Sequence, residues 1–85
     1  MTLDEKFNAA AQQIRKFTKR PPDSDMLEVY ALYKQSTIGD INTNKSGDST
    51  AVAKWNAWNG KKGLSGNVAK EQYISKVNEL APKYA

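Results

Sequence analysis

Apolar positions recur along this chain in steps of three and four, the repeat of a helix face rather than of a strand. Leu3, Phe7, Ala10, Ile14 and Phe17 form the first such stripe. Thr2 and Glu5 bracket its start as a capping box, in which the Thr2 hydroxyl accepts from the Glu5 N–H and the Glu5 carboxylate reaches back. The stripe predicts an amphipathic helix of about four turns. It should end near Thr18, because the Pro21-Pro22 pair cannot continue a helix. Arg15 and Lys16 lie off the stripe, where the simplest reading is a solvated face.

Pro21-Pro22-Asp23-Ser24-Asp25 is a stiff connection that doubles as a start signal, since Pro suits a first turn and acids meet the positive end of the helix dipole. A second helix then runs to about Ile38, with Gly39 as its stop. Its pattern differs from the first. Tyr30, Tyr33, Lys34 and Thr37 share one side, Leu27, Ala31 and Ile38 the next sector, and Val29 and Leu32 the other flank. Only Glu28 and Gln35 remain as a polar strip. A surface helix normally carries one apolar stripe of about 100°. This one is apolar or aromatic over more than that, so it is covered on two sides, or covered on one and used on the other. Two phenols and an ammonium mark the side to be used, because such groups do not suit a dry core.

Asp40 to Ser49 is a polar loop rich in turn residues. It is a poor calcium loop: its only acids are Asp40 and Asp48, with no Glu at the closing position. Ser49 or Thr50 is expected to cap a third helix, Ala51 to about Lys61, on which Ala51, Trp55 and Trp58 fall at i, i+4, i+7. Both indoles can then face inward, with Lys54 beside them. Gly63-Leu64 is a helix stop with an apolar contact after it. Ser65 opens a fourth helix on the stripe Ala69, Tyr73, Val77, Leu80 and Tyr84. Gly66 weakens its first turn, and Pro82 should end it near Leu80 or Ala81. No stretch alternates with period two over a strand's length, and there is no internal repeat. The expectation is an all-α chain of four helices.

Composition narrows the chemistry. The 85 residues suit one domain, 1–85, with a single modest core. Thirteen Lys and Arg against nine Asp and Glu give a formal net charge of +4, which suits an anionic partner and is also ordinary for a soluble domain. There is no Cys and no His, which removes thiolate chemistry, the usual general base and the commonest metal ligand. The first residues read as neither a signal nor a transit peptide, and no apolar run approaches the ~18–20 residues of a membrane span. A cytoplasmic, soluble chain is expected. Without a nucleophile–base pair, paired carboxylates or a metal set, no catalytic site is expected.

What remains is a cluster of binding groups. Tyr30, Tyr33 and Lys34 share a face, Lys54 and Tyr73 lie on helices that must pack beside it, and Met26 and Leu27 add an apolar wall. Phenol rings offer stacking surfaces for a base, and hydroxyls and ammonium groups donate to phosphate. The set asks for a ligand with an aromatic head, phosphates and a greasy part. The alternative is two core tyrosines with snorkelling lysines. Two other classes stay open: a small basic helical nucleic-acid-binding domain, whose bases are however not clustered on one helix, and an interaction bundle without a small ligand.

Two stretches carry a resemblance. Tyr30 to Thr43 (Tyr-Ala-Leu-Tyr-Lys-Gln-Ser-Thr-Ile-Gly-Asp-Ile-Asn-Thr) resembles the signature segment of the acyl-CoA-binding proteins, as does Ala53 to Ser65 (Ala-Lys-Trp-Asn-Ala-Trp-Asn, then Lys-Lys-Gly-Leu-Ser). The likeness continues through Gln72 to Leu80 and back to Phe7 and the Pro21 to Leu27 segment. It implies an up-down-down-up four-helix bundle that binds medium- to long-chain acyl-CoA esters as a carrier and buffer, without catalysis, cofactor or metal. It also implies a monomer with no nucleic-acid partner and no integral membrane segment. By motif position, Tyr30, Lys34 and Lys54 would hold the 3′-phosphate of CoA and Tyr33 would contact the adenine. Tyr73 would add a ring and hydroxyl to the same region, and Arg15 would face the head group from the first helix. Met26 and Leu27 would line the acyl path. Trp55 and Trp58 would mainly pack, with Trp55 near the ligand. The chain departs from the family pattern in a loop a couple of residues shorter between Asn42 and Ala53, in Ser46 where Pro is common, and in Val52 where a base often precedes the Lys-Trp pair.

Overall fold

The computed structural model describes all 85 residues as four helices: α1 (Leu3–Arg15), α2 (Asp23–Thr37), α3 (Ser49–Asn59) and α4 (Gly66–Tyr84). The capping box at Thr2 and Glu5 forms as expected, with the Glu5 N–H donating to Thr2 Oγ1 at 3.1 Å and the Thr2 N–H to Glu5 Oε1 at 2.9 Å. Gly39 takes a positive φ of +98°, where a side chain would be strained, and so stops the chain directly after α2; the expected stop at Gly63, also at positive φ (+90°), lies in the turn beyond Gly60, the residue that caps the end of α3. Ser65 caps α4 through the Val68 N–H.

Three boundaries differ from expectation. Asp48, not Ser49 or Thr50, caps α3, its carboxylate accepting from the Ala51 N–H at 2.9 Å. An ionised carboxylate outcompetes a hydroxyl one residue on, so α3 starts early and finishes at Asn59. The first helix ends at Arg15 rather than Thr18, and the fourth runs through Pro82 to Tyr84. One cause accounts for both. The Lys19 N–H donates to the Tyr84 carbonyl at 3.1 Å and the Thr18 hydroxyl to the Ala85 carbonyl at 3.0 Å. The chain after α1 leaves its own helix to satisfy the end of α4, and Pro82, in the last turn, forfeits only one helical hydrogen bond.

Helix α4 packs against α1 and α2, and α3 packs against α2. Cross-helix contacts set the directions. Asp4 meets Lys70 near the starts of α1 and α4, so these run parallel. The Ser36 carbonyl at the end of α2 lies beside Gly66 at the start of α4, while Asp25 reaches Lys76 farther along it. Helix α2 is therefore antiparallel to α4. Helix α3 runs with α2, since Lys54 meets Tyr30 and the later Trp58 meets Lys34. The result is an up-down-down-up bundle. Its core joins Phe7 and Ala10 of α1, Val29 and Leu32 of α2, and Tyr73, Val77 and Leu80 of α4.

Gln35 departs most from the sequence pattern. It belongs to the expected polar strip, yet it is 1% exposed. Its amide nitrogen donates to Asp40 Oδ1 at 2.8 Å and to the Leu64 carbonyl at 2.9 Å. Asp40 Oδ1 also accepts from the Gly63 N–H at 2.8 Å. These bonds hold its carboxyl below the usual range, Gly63 contributing most and Gln35 next. Glu28, the strip's other member, pairs with Lys61 at 2.8 Å. The strip faces the turn between α3 and α4, where the Gln35 amide nitrogen and the Glu28 carboxylate find partners and the buried Gln35 Oε1 has none.

Candidate functional site

Because α1 and α2 do not pack closely along their backbones, a cleft opens between them, and α3 extends it on the far side of α2. Tyr30 stands at the centre, lining three recesses at once. The first, about 200 Å³, lies between α1 and α2, walled by Ala11, Ile14 and Arg15 on one side and Met26, Val29, Tyr30 and Tyr33 on the other, with Tyr73 also lining it. The second, about 480 Å³, lies between α2 and α3 and holds Met26, Leu27, Tyr30, Ala53 and Lys54. The third, about 310 Å³, holds Tyr30, Lys34, Trp55 and Trp58 with Thr43, Asn44 and Ser46 of the loop.

The cations converge on aromatic faces. Lys34 Nζ lies 5.7 Å from the Tyr30 ring centroid and 5.8 Å from that of Trp58, and Lys54 Nζ lies 5.5 Å from the same Tyr30 ring. Neither lysine has a carboxylate within ion-pair distance, whereas Lys61 and Lys70 each have one and Lys76 has two. An ammonium over a ring keeps its full charge and its N–H donors for a further partner.

The two indole N–H groups pin the loop that frames this end. Trp58 Nε1 donates to the Gly39 carbonyl and Trp55 Nε1 to the Thr43 carbonyl, both at 2.8 Å. Trp58 is buried; Trp55 is half-buried at the edge of the recess, with Lys45 Nζ 5.7 Å from its ring. Tyr33 and Tyr73 are shared between core and cleft. Tyr33 stacks on Phe7 with centroids 5.6 Å apart, and Tyr73 lies 4.9 Å from Phe7 and 5.8 Å from Tyr33. Burial, and then the Tyr33 phenol, push the Tyr73 hydroxyl above its ordinary pKa, while Arg15 pulls it back. Tyr73 stays a neutral donor at physiological pH.

All nine residues singled out in the sequence — Arg15, Met26, Leu27, Tyr30, Tyr33, Lys34, Lys54, Trp55 and Tyr73 — line one or more of the three recesses that meet at Tyr30. The alternative of core tyrosines describes Tyr33 and Tyr73 in part, but not Tyr30. Sequence reasoning missed Arg20, Ser49, Thr50 and Ala53, which line the recess between α2 and α3. Ser49 and Thr50 were legible only as cap candidates, because nothing in their local pattern says that α3 lies parallel to α2. Val52 itself lines none of the three recesses, although its neighbours Ala51 and Ala53 do.

Residues 4–77 match the model of the acyl CoA binding protein family. The chain belongs to that family. An acyl-CoA-binding protein homolog of Drosophila melanogaster is 47% identical over 85 residues, covering 98% of this chain and 99% of its own. Oryza sativa acyl-CoA-binding protein 2 has a crystal structure that superposes with a TM-score of 0.91 at 32% identity, over 95% of this chain and 90% of that one. The solution structure of the yeast acyl coenzyme A binding protein gives a TM-score of 0.75 at 38% identity, covering 92% and 93%. The family membership and these likenesses agree with the four-helix architecture derived above.

Proposed function

We propose that this protein binds acyl-CoA esters in the cleft around Tyr30 and acts as an intracellular carrier and buffer for medium- to long-chain esters, performing no reaction on them. Family membership supports the ligand class. The observation that carries the reading is the convergence of two unpaired lysines, Lys34 and Lys54, on one tyrosine ring, beside a recess walled by Met26 and Leu27.

CoA brings roughly four negative charges from a phosphomonoester and a diphosphate. Lys34 and Lys54 donate to the 3′-phosphate, each charge-assisted hydrogen bond contributing about 1.5–3 kcal/mol net. Tyr33 and Tyr73 present rings and hydroxyls for the adenine region, with Arg15 above them. Met26 and Leu27 take the acyl chain, at up to about 0.8 kcal/mol per buried methylene. Nothing in the cleft activates water or a nucleophile toward the thioester: the chain has neither His nor Cys. On this reading the carrier acts as a monomer, and its place of action is the cytoplasm. No helix is long and apolar enough to cross a membrane.

Calorimetry tests the reading. Dodecanoyl-CoA and hexadecanoyl-CoA should bind far more tightly than free CoA, with a gain per methylene below about 0.8 kcal/mol that levels off once the groove is full. Free fatty acid should bind poorly, lacking the phosphates. Equal affinities for free CoA and hexadecanoyl-CoA would sink the carrier reading.

A further inference from the structure

A further recess, about 310 Å³, lies where the end of α1 meets the start of α2. Its apolar lining is Ile14 and Phe17, both packed against the core, with Met26 and the buried Pro21. The exposed Lys19 and Arg20 complete it. This wall is held in place by the fold itself. Pro21 is conformationally stiff, and the Thr18 hydroxyl and Lys19 N–H are bonded to the carbonyls of Ala85 and Tyr84.

Met26 joins this recess to the cleft. The recess shares Met26 and Arg20 with the one between α2 and α3, and Met26 and Ile14 with the one between α1 and α2. Those two share Met26 and Tyr30. Met26 is therefore the one residue common to all three, a turn before Tyr30 on α2. It is half-buried, and its unbranched thioether chain makes it an adaptable partition rather than a fixed wall. A long acyl chain lying on Met26 and Leu27 has two ways to continue. Straight on, it reaches Arg20, Asp23, Ser49 and Thr50, all exposed, and its last methylenes stay in water. Across Met26, it reaches Ile14, Phe17 and Pro21, where methylenes exchange water for apolar carbon. Burial favours the second course in proportion to the apolar area removed from water.

We infer that the recess lined by Ile14, Phe17 and Pro21 is the binding site for the distal end of a long acyl chain, which enters it across Met26. The inference rests on the acyl-CoA reading and deepens it, since this site separates long esters from short ones. A short chain ends on Met26 and Leu27 and never reaches Phe17. A long one turns at Met26 and gains the further apolar wall. Phe17 lines this recess and none of the three that meet at Tyr30, so it is the residue through which length is read.

The test uses octanoyl-CoA and hexadecanoyl-CoA carrying a ¹³C label on the terminal methyl, each bound to the unmodified protein. In a filtered NOE spectrum the hexadecanoyl methyl should show cross-peaks to the Phe17 ring and to Pro21. The octanoyl methyl should show them to Leu27 or Ala53 and not to Phe17. Calorimetry of Phe17→Ala supplies a second readout, with each protein referred to its own affinity for octanoyl-CoA. The hexadecanoyl-to-octanoyl affinity ratio should fall by about 4- to 15-fold, the worth of one to two buried methylenes. The cross-peaks are read on the unmodified protein, so they decide the matter alone if the variant does not fold. A hexadecanoyl methyl that touches neither Phe17 nor Pro21, in an ester that calorimetry shows to be bound, would overturn the inference and leave the carrier reading intact. So would an undiminished ratio in a folded Phe17→Ala protein. Absence of binding by both esters would sink the carrier reading and this inference with it.

Discussion

The seams between helices and the cleft around Tyr30 use lysine in opposite ways. At the seams, Lys61, Lys70 and Lys76 meet Glu28, Asp4 and Asp25 at 2.8, 2.6 and 2.9 Å, and each lysine side chain is about four-fifths covered. In the cleft, Lys34 and Lys54 face aromatic rings and no carboxylate. A paired ammonium is neutralised where it stands and holds two helices in register. An ammonium over a ring keeps its field for an anion arriving from outside. Lys61, Lys70 and Lys76 are thus cancelled at the seams, while Lys34 and Lys54 remain available in the cleft. Counting basic residues cannot separate these two populations; their partners can.

The largest expected effects fall on the cleft lysines. Lys34→Met and Lys54→Met should each cost about 1.5–3 kcal/mol in acyl-CoA affinity, with losses that do not add because both groups share one phosphate. The ester of 3′-dephospho-CoA should bind the unmodified protein more weakly, and the two variants should then lose little further affinity for it. Equal penalties with both esters, read by calorimetry, would erase the distinction between cleft and seam.

Next comes a group that belongs wholly to the seam. Gln35→Ala removes both amide donors, leaves the Leu64 carbonyl without that partner, and should cost about 1–3 kcal/mol of stability in urea unfolding. Affinity for dodecanoyl-CoA should hold at saturating folded protein. A loss of affinity without a loss of stability would move Gln35 into the cleft.

Lys76→Met should change stability by no more than about 1 kcal/mol, as partly exposed ion pairs do, and leave acyl-CoA binding unchanged. The hydrogen bond to Asp25 raises the Lys76 pKa most. Its contribution is therefore fully present below the unfolded lysine pKa and is lost as pH rises through the raised folded value. The difference in Tm between this variant and the unmodified protein should vanish in strongly alkaline buffer.

The smallest effect concerns acid. Asp40 is depressed in the folded state by the Gly63 N–H first and the Gln35 amide second. Its contribution is present above the unfolded carboxylate pKa of about 3.9 and is lost as pH falls through the lower folded value. Asp40→Asn keeps an acceptor oxygen but no charge. It should lower Tm slightly at pH 7 and flatten the fall in Tm that this one carboxylate produces as pH drops below about 4. A parallel fall in both proteins would show that Asp40 contributes nothing through its charge.

What could be read along the chain is chemistry that acts within a few residues. Thr2 with Glu5, Gly39 and Ser65 start or stop helices through bonds to their own neighbours, and the stripes Phe7–Ala10 and Tyr73–Val77–Leu80 follow from helical period. The gathering of Tyr30, Tyr33 and Lys34 on one face was legible for the same reason, and family motifs extended it to Arg15, Lys54, Trp55 and Tyr73. The tertiary structure alone decided matters that depend on residues far apart. The seam pairs Glu28–Lys61, Asp25–Lys76 and Asp4–Lys70 are separated by 33, 51 and 66 positions. The continuation of α4 through Pro82 depends on Lys19 and Thr18. Gln35 reads as polar surface at helical period, and it is buried because the turn before Ser65 brings a carbonyl to its amide. Ser49 and Thr50 line a recess because α3 lies parallel to α2, an arrangement set by where the Trp58 and Trp55 N–H groups find their carbonyls. A hydrogen bond or ion pair is specified by the position of both partners, and local sequence supplies only one of them.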